Sequence, residues 1–539
     1  MKQSREERFS ASYPSCFSVL GPDLWKAILS SCTELAGPEN IPDIIGIQAG
    51  ELGLPGYLPD LARLESAISE VESLEIRPPV NNISINPTVT LLEVTWKNLP
   101  TFLGAKKHGP RLIPLAGNEV VMVWKDQKTS QVHVREASKE DLLVLKLLVE
   151  GIVPKEAAAK QKIPVEVIDN FIEKAKGEGI VLAPLSRIRR DFIFKDDKPF
   201  DENHLSAPTF TLQWHITQAC DLHCRHCYDR SDRTSLDPRL GHKILRDLSV
   251  FCENMHVRGQ VSFSGGNPLL YPHFGELYHA ASEQGFMLAV LGNPAPRKEI
   301  EALLTIRKPV FFQVSLEGLE EHNDHIRGMG HFRRTLDFLK VLRDLDIYSM
   351  VMLTLTEDNL KQVIPLAEIL RDLTDLFTFN RLSSVGEGSA LRLPQSDAYK
   401  AFIWEYLNAA EHNPVMGLKD NLFNIVLREK GMDPFGGCTG FGCGAAFNFL
   451  SVLPDGEVHA CRKFPSFIGN IFCQTLTEIY DSSVAGRYRS GCLACGGCAI
   501  RPVCGGCLAV AYSHGVDPFT AHDPYCFLSQ GTGSYSPAR

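Results

Sequence analysis

The chain has 539 residues, with 55 Lys and Arg against 64 Asp and Glu, giving a formal net charge of −9. That length exceeds what a single hydrophobic core organises and predicts three or four domains. With this acidic balance and no apolar run of about 18 residues, neither a nucleic-acid surface nor a membrane span is indicated.

Within residues 1–105, Asp23–Leu35 and Leu58–Glu72 carry helical patterns and Asn86–Trp96 is extended. This region is read as a mainly helical accessory domain for peptide docking or oligomerisation. From Arg111 onward come short β runs, including Val120–Trp124 and Gln131–Val134. Helical stretches follow at Lys139–Glu150, Pro154–Lys160 and Val165–Gly177, closing on Gly179-Ile-Val-Leu182. Strands followed by three helices over 108–190 resemble the PqqD-like winged-helix precursor-recognition module of peptide-modifying enzymes. The resemblance implies that residues 108–184 hold the leader of a ribosomally made precursor peptide as an added strand. The mixed charge of Lys139–Lys146 and the missing basic stripe argue against the alternative, a DNA-binding winged helix.

Apolar β-rich runs recur at Phe210–Ile216, Gln260–Phe263, Phe286–Leu291, Val310–Leu316, Tyr348–Leu355 and Leu376–Phe379. Between them lie helical patterns such as Lys243–Met255, Phe274–Gln284, Arg333–Leu345 and Asn359–Leu373. Such alternation predicts an α/β fold with a parallel sheet. Six βα units are three quarters of an eight-unit barrel of about 250 residues, so 205–393 is expected to form a partial (β/α)6 TIM-like barrel. Active residues in such barrels sit at the C-terminal strand ends.

The first strand leads into Cys220, Cys224 and Cys227, spaced C-x3-C-x2-C. Iron–sulfur clusters normally use four cysteines, so three in one loop leave one iron open. Zinc sites favour C-x2-C pairs with a second pair downstream, which fits this loop poorly. The spacing resembles the signature of the radical S-adenosylmethionine superfamily, in which the cofactor chelates the open iron through its amino and carboxylate groups. The resemblance implies an oxidoreductase in which a reduced core cluster yields a 5′-deoxyadenosyl radical. The second strand runs into Ser264-Gly265-Gly266-Asn267-Pro268, similar to the family's Gly-Gly-Glu-Pro, which implies that Gly265, Gly266 and Asn267 bind the cofactor's amino group. Asn267 stands where the family has glutamate; its amide oxygen still accepts a hydrogen bond, without the charge. The same residues also read as a plain Gly-Asn-Pro turn. The fourth strand ends in Ser315-Leu-Glu317 and continues to Arg327-Gly328, which resembles the family's Ser-x-Asp-Gly…Ile-Arg-Gly stretch. This implies Ser315 against the nucleoside and Arg327 on the carboxylate, a group that Arg suits; the role of Glu317 stays open.

After a helical bridge at 394–431 (Ser396–Glu411 and Leu418–Lys430), ten of the 16 cysteines fall between Cys438 and Cys526. Their order, C438-x4-C443-x12-G456-x4-C461, then C495-x2-C498-x5-C504-x2-C507 and Cys526, resembles the twin-cluster extension called SPASM, here over 432–530. The resemblance implies one auxiliary [4Fe–4S] cluster on Cys438, Cys443, Cys461 and Cys507, and another on Cys495, Cys498, Cys504 and Cys526. The pattern has x2 before Cys507 where x3 is usual, and Cys492 offers an alternative to Cys495. Cys16, Cys32, Cys252 and Cys473 read as small buried hydrophobes.

The first 30 residues lack an apolar h-region, which disfavours a disulfide framework and points to a reducing cytoplasm. Together these resemblances imply a SPASM peptide maturase of the thio- or seleno-oxazole-modification type, using S-adenosylmethionine and an external electron donor such as flavodoxin or ferredoxin. It would form a sulfur–carbon link or a sulfur/selenium heterocycle on the precursor, with no membrane or nucleic-acid partner. The alternatives are an anaerobic sulfatase-maturing enzyme, a carbon–carbon cross-linking or epimerising peptide maturase, and a non-catalytic iron–sulfur redox or transcription sensor.

Overall fold

The computed structural model describes residues 5–31, 37–75, 80, 82–104, 113–161, 163, 165–190 and 202–528. Cys32, the tail Gln530–Arg539 and the expected start of the recognition module at 108–112 lie outside them. The chain divides into two compact units, Met1–Leu185 and Ser186–Arg539, and each has its own hydrophobic core.

In the first unit the helix Pro14–Ser30 starts earlier than its apolar pattern indicates and kinks at Gly21, whose φ is 71° and which Pro22 follows. The buried Glu65 carboxylate accepts from the amides of Ser15 and Cys16 at 2.6 and 3.0 Å. It thereby satisfies donors that a helix start leaves unpaired. Glu65 belongs to the helix Leu58–Ser73, which packs on a three-stranded antiparallel sheet.

The strands of this unit are β1 (Ser84–Ile85), β2 (Thr90–Lys97), β3 (Leu115–Lys125), β4 (Val132–Glu136) and β5 (Val181–Leu182). The sheet order is β2-β3-β4, and β1 pairs with β5 in a separate ribbon. Val94, Val121 and Val123 face Leu58, Leu61 and Val71 on one side. Met122 and Trp124 face the helices Lys139–Glu150, Pro154–Gln161 and Val165–Gly177 on the other. Arg135 of β4 joins strands to helices, donating to Asp141 at 2.6 and 3.0 Å and to Glu178 at 2.5 Å. The expected seam between 1–105 and 108–190 therefore runs through a sheet: β2 comes from one side of it, β3 and β4 from the other.

The second unit contains β6 (Thr209–Thr217), β7 (Arg258–Gly265), β8 (Met287–Leu291), β9 (Phe311–Ser315), β10 (Ser349–Leu355) and β11 (Leu376–Arg381). They pair in parallel, in sequence order, as the strand–helix alternation predicts. Period-two alternation explains their composition. Phe210, Leu212, Trp214 and Ile216 of β6 pack in the outer core, while Thr211, Gln213 and His215 line the interior cavity. Gln260, Ser262, Gln313, Thr354 and Asn380 of the other strands line it too, together with Phe311 and Met352, so the barrel lumen mixes polar and apolar side chains.

Beyond β6 the same sheet continues through β12 (Phe449–Val452), β13 (Glu457–His459) and β14 (Phe467–Asn470). Strand β12 pairs in parallel with β6, so the Cys-rich region and the barrel share one sheet. Arg381, at the end of β11, also ties the two together. It donates to Asp420 at 2.7 Å and to Asp523 at 2.8 and 2.7 Å, all three side chains being nearly inaccessible. Removing one partner of such a buried network leaves uncompensated charge. No helix among the described residues is long and apolar enough to cross a membrane.

Candidate active site

The loop after β6 carries Cys220, Cys224 and Cys227, all free and partly exposed. Its backbone is tied down from several sides. The amides of Gly266 and Asn267 donate to the carbonyls of Thr217 and Ala219 at 2.9 and 2.7 Å, and Arg225 N donates to Ile326 O at 2.9 Å. Glu387 N donates to Cys227 O at 2.9 Å. A Cβ on Gly265 would strike the Thr217 carbonyl, and one on Gly266 the Ala219 carbonyl. The two glycines thus permit the β7 loop to press against the chain entering the cysteine loop, at a φ of 140° for Gly265.

These cysteines open on a cavity of about 790 Å³ that Cys438, Cys443, Cys461 and Cys507 also line. Each of the four is positioned through its backbone. Cys438 N donates to Asn421 at 2.7 Å, Cys461 N to Ser466 Oγ at 3.0 Å, and Cys507 N to Asp523 at 2.9 Å. The Cys443 carbonyl accepts from Arg190. The glycine of the motif has a local cause: Gly456, at φ 83°, closes the tight turn between β12 and β13 through its amide to Leu453 O at 3.0 Å. Burial pushes the Cys461 and Cys507 thiols up to about 12, so ionising them calls for a bound cation. Among the described residues no three His, Cys, Asp or Glu side chains are arranged to hold a single metal ion. The fit to clusters rests on where the loops stand and on the thiols they bring to one cavity.

Cys495, Cys498, Cys504 and Cys526 form a further group, with Cys492 beside Cys495. The Cys492 thiol donates to the Ala521 carbonyl at 2.8 Å. The short spacing before Cys507 also has a physical basis. Gly505 and Gly506 take φ values of 65° and 67°, and two successive left-handed residues turn the chain sharply. Cys504 and Cys507 thereby join different groups despite their proximity in sequence.

Of the residues expected to bind the cofactor, Gly265, Gly266, Ser315 and Arg327 line the cavity and Asn267 does not. The Asn267 oxygen accepts from Leu269 N at 3.3 Å and its nitrogen donates to Asp221 at 3.0 Å, so both ends of the amide are engaged in the loop. Arg327 is ion-paired with Glu317 at 2.6 Å. Burial works against the charge on Glu317, but His226, Arg327 and the Thr354 amide outweigh it and hold the carboxyl below its usual range. Asn293, at the end of β8, was not anticipated: it lines the cavity and donates to Cys220 Sγ at 3.6 Å and to Asp221 at 2.7 Å. Its only sequence signal is a polar residue following a barrel strand. His215 was also missed; it is 2% exposed, and its Nε2 has no partner among the described residues.

Beneath the Arg327 loop, His331 is 1% exposed and burial pushes its imidazole down to about 3. The unfolded chain takes up a proton near the ordinary histidine pKa of about 6.5, whereas the folded chain resists it until about 3. Stability is therefore retained above about pH 6.5 and lost as pH falls through that window, by on the order of a few kcal/mol. Melting curves at pH 7 and pH 4.5 should show a smaller loss for His331→Gln than for the parent chain; an equal loss would contradict this.

Residues 214–370 match the Radical SAM superfamily, and residues 443–508 match SPASM, an iron–sulfur cluster-binding domain. The chain carries a radical SAM domain followed by a SPASM domain. Its cofactors are S-adenosylmethionine and [4Fe–4S] clusters, and it is an enzyme of radical chemistry. It is 27% identical over 309 residues to the antilisterial bacteriocin subtilosin biosynthesis protein AlbA of Bacillus subtilis, covering 54% of this chain and 65% of AlbA. It is 26% identical over 341 residues to the AdoMet-dependent heme synthase of Methanosarcina barkeri, covering 59% of this chain and 97% of that one. Streptococcus suis SuiB, solved with its precursor peptide SuiA, superposes with a TM-score of 0.50 at 18% identity, covering 76% of this chain and 96% of that one. This last likeness concerns the fold, a partial α/β barrel with its C-terminal extension.

Proposed function

We propose that this radical SAM–SPASM enzyme modifies a ribosomally synthesised precursor peptide, forming a sulfur–carbon link or a sulfur/selenium heterocycle. The observation that carries the reading is the single cavity onto which the core loop and the Cys438, Cys443, Cys461 and Cys507 group both open. A substrate there lies beside both. The core cluster would be held by Cys220, Cys224 and Cys227, and it supplies with S-adenosylmethionine the radical that removes one substrate hydrogen. The chain's own residues bind and orient the substrate. Gln213, Gln260, Gln313 and Asn380 offer neutral amide donors and acceptors suited to a peptide backbone.

The first unit supports leader binding. The outer edges of β2 and β4 have no further strand among the described residues, which is what strand addition requires. The superposition on SuiB covers a larger share of this chain than the second unit alone contains. An external flavodoxin or ferredoxin would deliver the electron. The test is turnover with short Cys-rich peptides encoded beside the gene. Loss of two hydrogens together with loss of an alkylatable Cys thiol supports the linkage, the same loss with the thiol retained indicates a carbon–carbon cross-link, an unchanged mass indicates epimerisation, and turnover of a sulfatase peptide or a tetrapyrrole instead would refute the reading.

In this reading the second auxiliary cluster is held by Cys495, Cys498, Cys504 and Cys526; Cys492, whose thiol donates to the Ala521 carbonyl at 2.8 Å, is the alternative to Cys495, whose own thiol lies 3.6 Å from His522 Nδ1. Cys495→Ser should lower bound iron and sulfide by about one cluster complement, whereas Cys492→Ser should not. The reverse result would exchange the two residues.

A further inference from the structure

Among the buried charges beside the cavity, one set is aimed at the core thiols. Glu317 is 1% exposed. Its Oε1 accepts from Arg327 Nε at 2.9 Å and Nη2 at 2.6 Å, and its Oε2 accepts from the Thr354 amide at 2.8 Å. With that edge of the guanidinium taken, the remaining nitrogen, Nη1, stands 3.7 Å from Cys224 Sγ. His226 Nε2 lies 3.4 Å from Arg327 Nη2, against the same pair. Across the loop, Asn293 Nδ2 reaches Cys220 Sγ at 3.6 Å while also held by Asp221 at 2.7 Å. Two of the three core sulfurs therefore each face an N–H donor, and each donor is oriented by a carboxylate.

We propose that Arg327 and Asn293 raise the reduction potential of the core cluster by donating to its thiolates, with Glu317 as the positioning residue that holds Arg327 on Cys224. Hydrogen bonds to cluster sulfurs and nearby positive charge withdraw electron density and favour the reduced state. The step is a one-electron reduction by an external one-electron carrier, in which neither side chain gains or loses a proton. This assigns Arg327 a different role from a bidentate grip on the cofactor carboxylate, because the guanidinium edge made by Nε and Nη2 is already engaged by Glu317.

The experiment is a redox titration of the reconstituted full chain followed by electron paramagnetic resonance. The core signal is identified by its change on adding S-adenosylmethionine. Glu317→Gln is compared with the double variant Glu317→Gln/Arg327→Gln, so that no buried carboxylate loses its partner. The double variant should show at least a tenfold less favourable reduction equilibrium than Glu317→Gln, a shift of about 59 mV for a one-electron couple. Asn293→Ala should shift the parent potential the same way by severalfold in that equilibrium. Equal potentials in the double variant and Glu317→Gln would overturn the role of Arg327, and an unshifted Asn293→Ala that of Asn293. Unchanged potential with lost S-adenosylmethionine affinity would make Arg327 the carboxylate grip instead. Should the double variant fail to load its cluster, Arg327→Lys decides. It keeps the charge facing Glu317 but cannot also reach Cys224, so it too should lower the potential. The proposal rests on a core cluster at Cys220, Cys224 and Cys227; absence of any core signal in the parent chain would overturn that assignment as well, which a merely unshifted potential would not.

Discussion

Replacing Cys220, Cys224 and Cys227 together by Ala should abolish all cleavage of S-adenosylmethionine while removing only about one [4Fe–4S] complement of iron. The core loop follows β6, whereas the auxiliary cysteines are held by other anchors: Asn421, Ser466, Asp523 and the turn at Gly456. Losing the core thiols leaves those anchors in place, so the remaining clusters should still assemble. Iron, sulfide and 5′-deoxyadenosine are measured on the same preparation. Unchanged iron in the triple variant would remove the core assignment, and residual cofactor cleavage would place the chemistry elsewhere.

Deleting residues 1–185 should abolish modification of a full-length precursor yet leave reductive cleavage of S-adenosylmethionine intact. The cut is placed at the unit boundary rather than at residue 108 because β2 pairs with β3 from Thr90↔Val123 to Lys97↔Leu115. Removing 108–184 alone would strand β2 and the apolar face of Leu58–Ser73. The residues from Ser186 onward bury their own core, including Trp214, Phe263, Phe312 and Phe379, so they should fold without the first unit. Precursor turnover by mass and cofactor cleavage are read in parallel. Equal precursor turnover with and without 1–185 would remove the leader-binding role, and a DNA-binding assay of the first unit would then be warranted.

The barrel was legible because its strands are buried and therefore written as apolar runs, and because βα alternation leaves few topologies. The cysteine loop was legible because its three cysteines are close in sequence. Other features depend on pairing between distant segments. Nothing near Thr90–Lys97 announces that its partner begins at Leu115, so the domain seam was misplaced. The helix Glu320–Arg327, with the sequence EEHNDHIR, is polar almost throughout and has no apolar stripe to reveal it. Asn293 gains its role only because β8 lies next to β7, which itself adjoins β6. Asn267 shows the converse: a motif position whose amide is consumed by Asp221 and Leu269 within the loop.

The parallel pairing of β12 with β6 has a consequence for biosynthesis. During translation β6 emerges early, and its outer edge stays open until Phe449–Val452 leaves the ribosome and docks. An unpaired strand edge is a template for aggregation, and closing a long chain segment slows folding. The barrel therefore cannot mature ahead of the cluster-bearing tail. Completion of the first strand's edge thus waits on the segment that carries the later cysteines, and a nascent chain stalled before that point would leave the edge exposed.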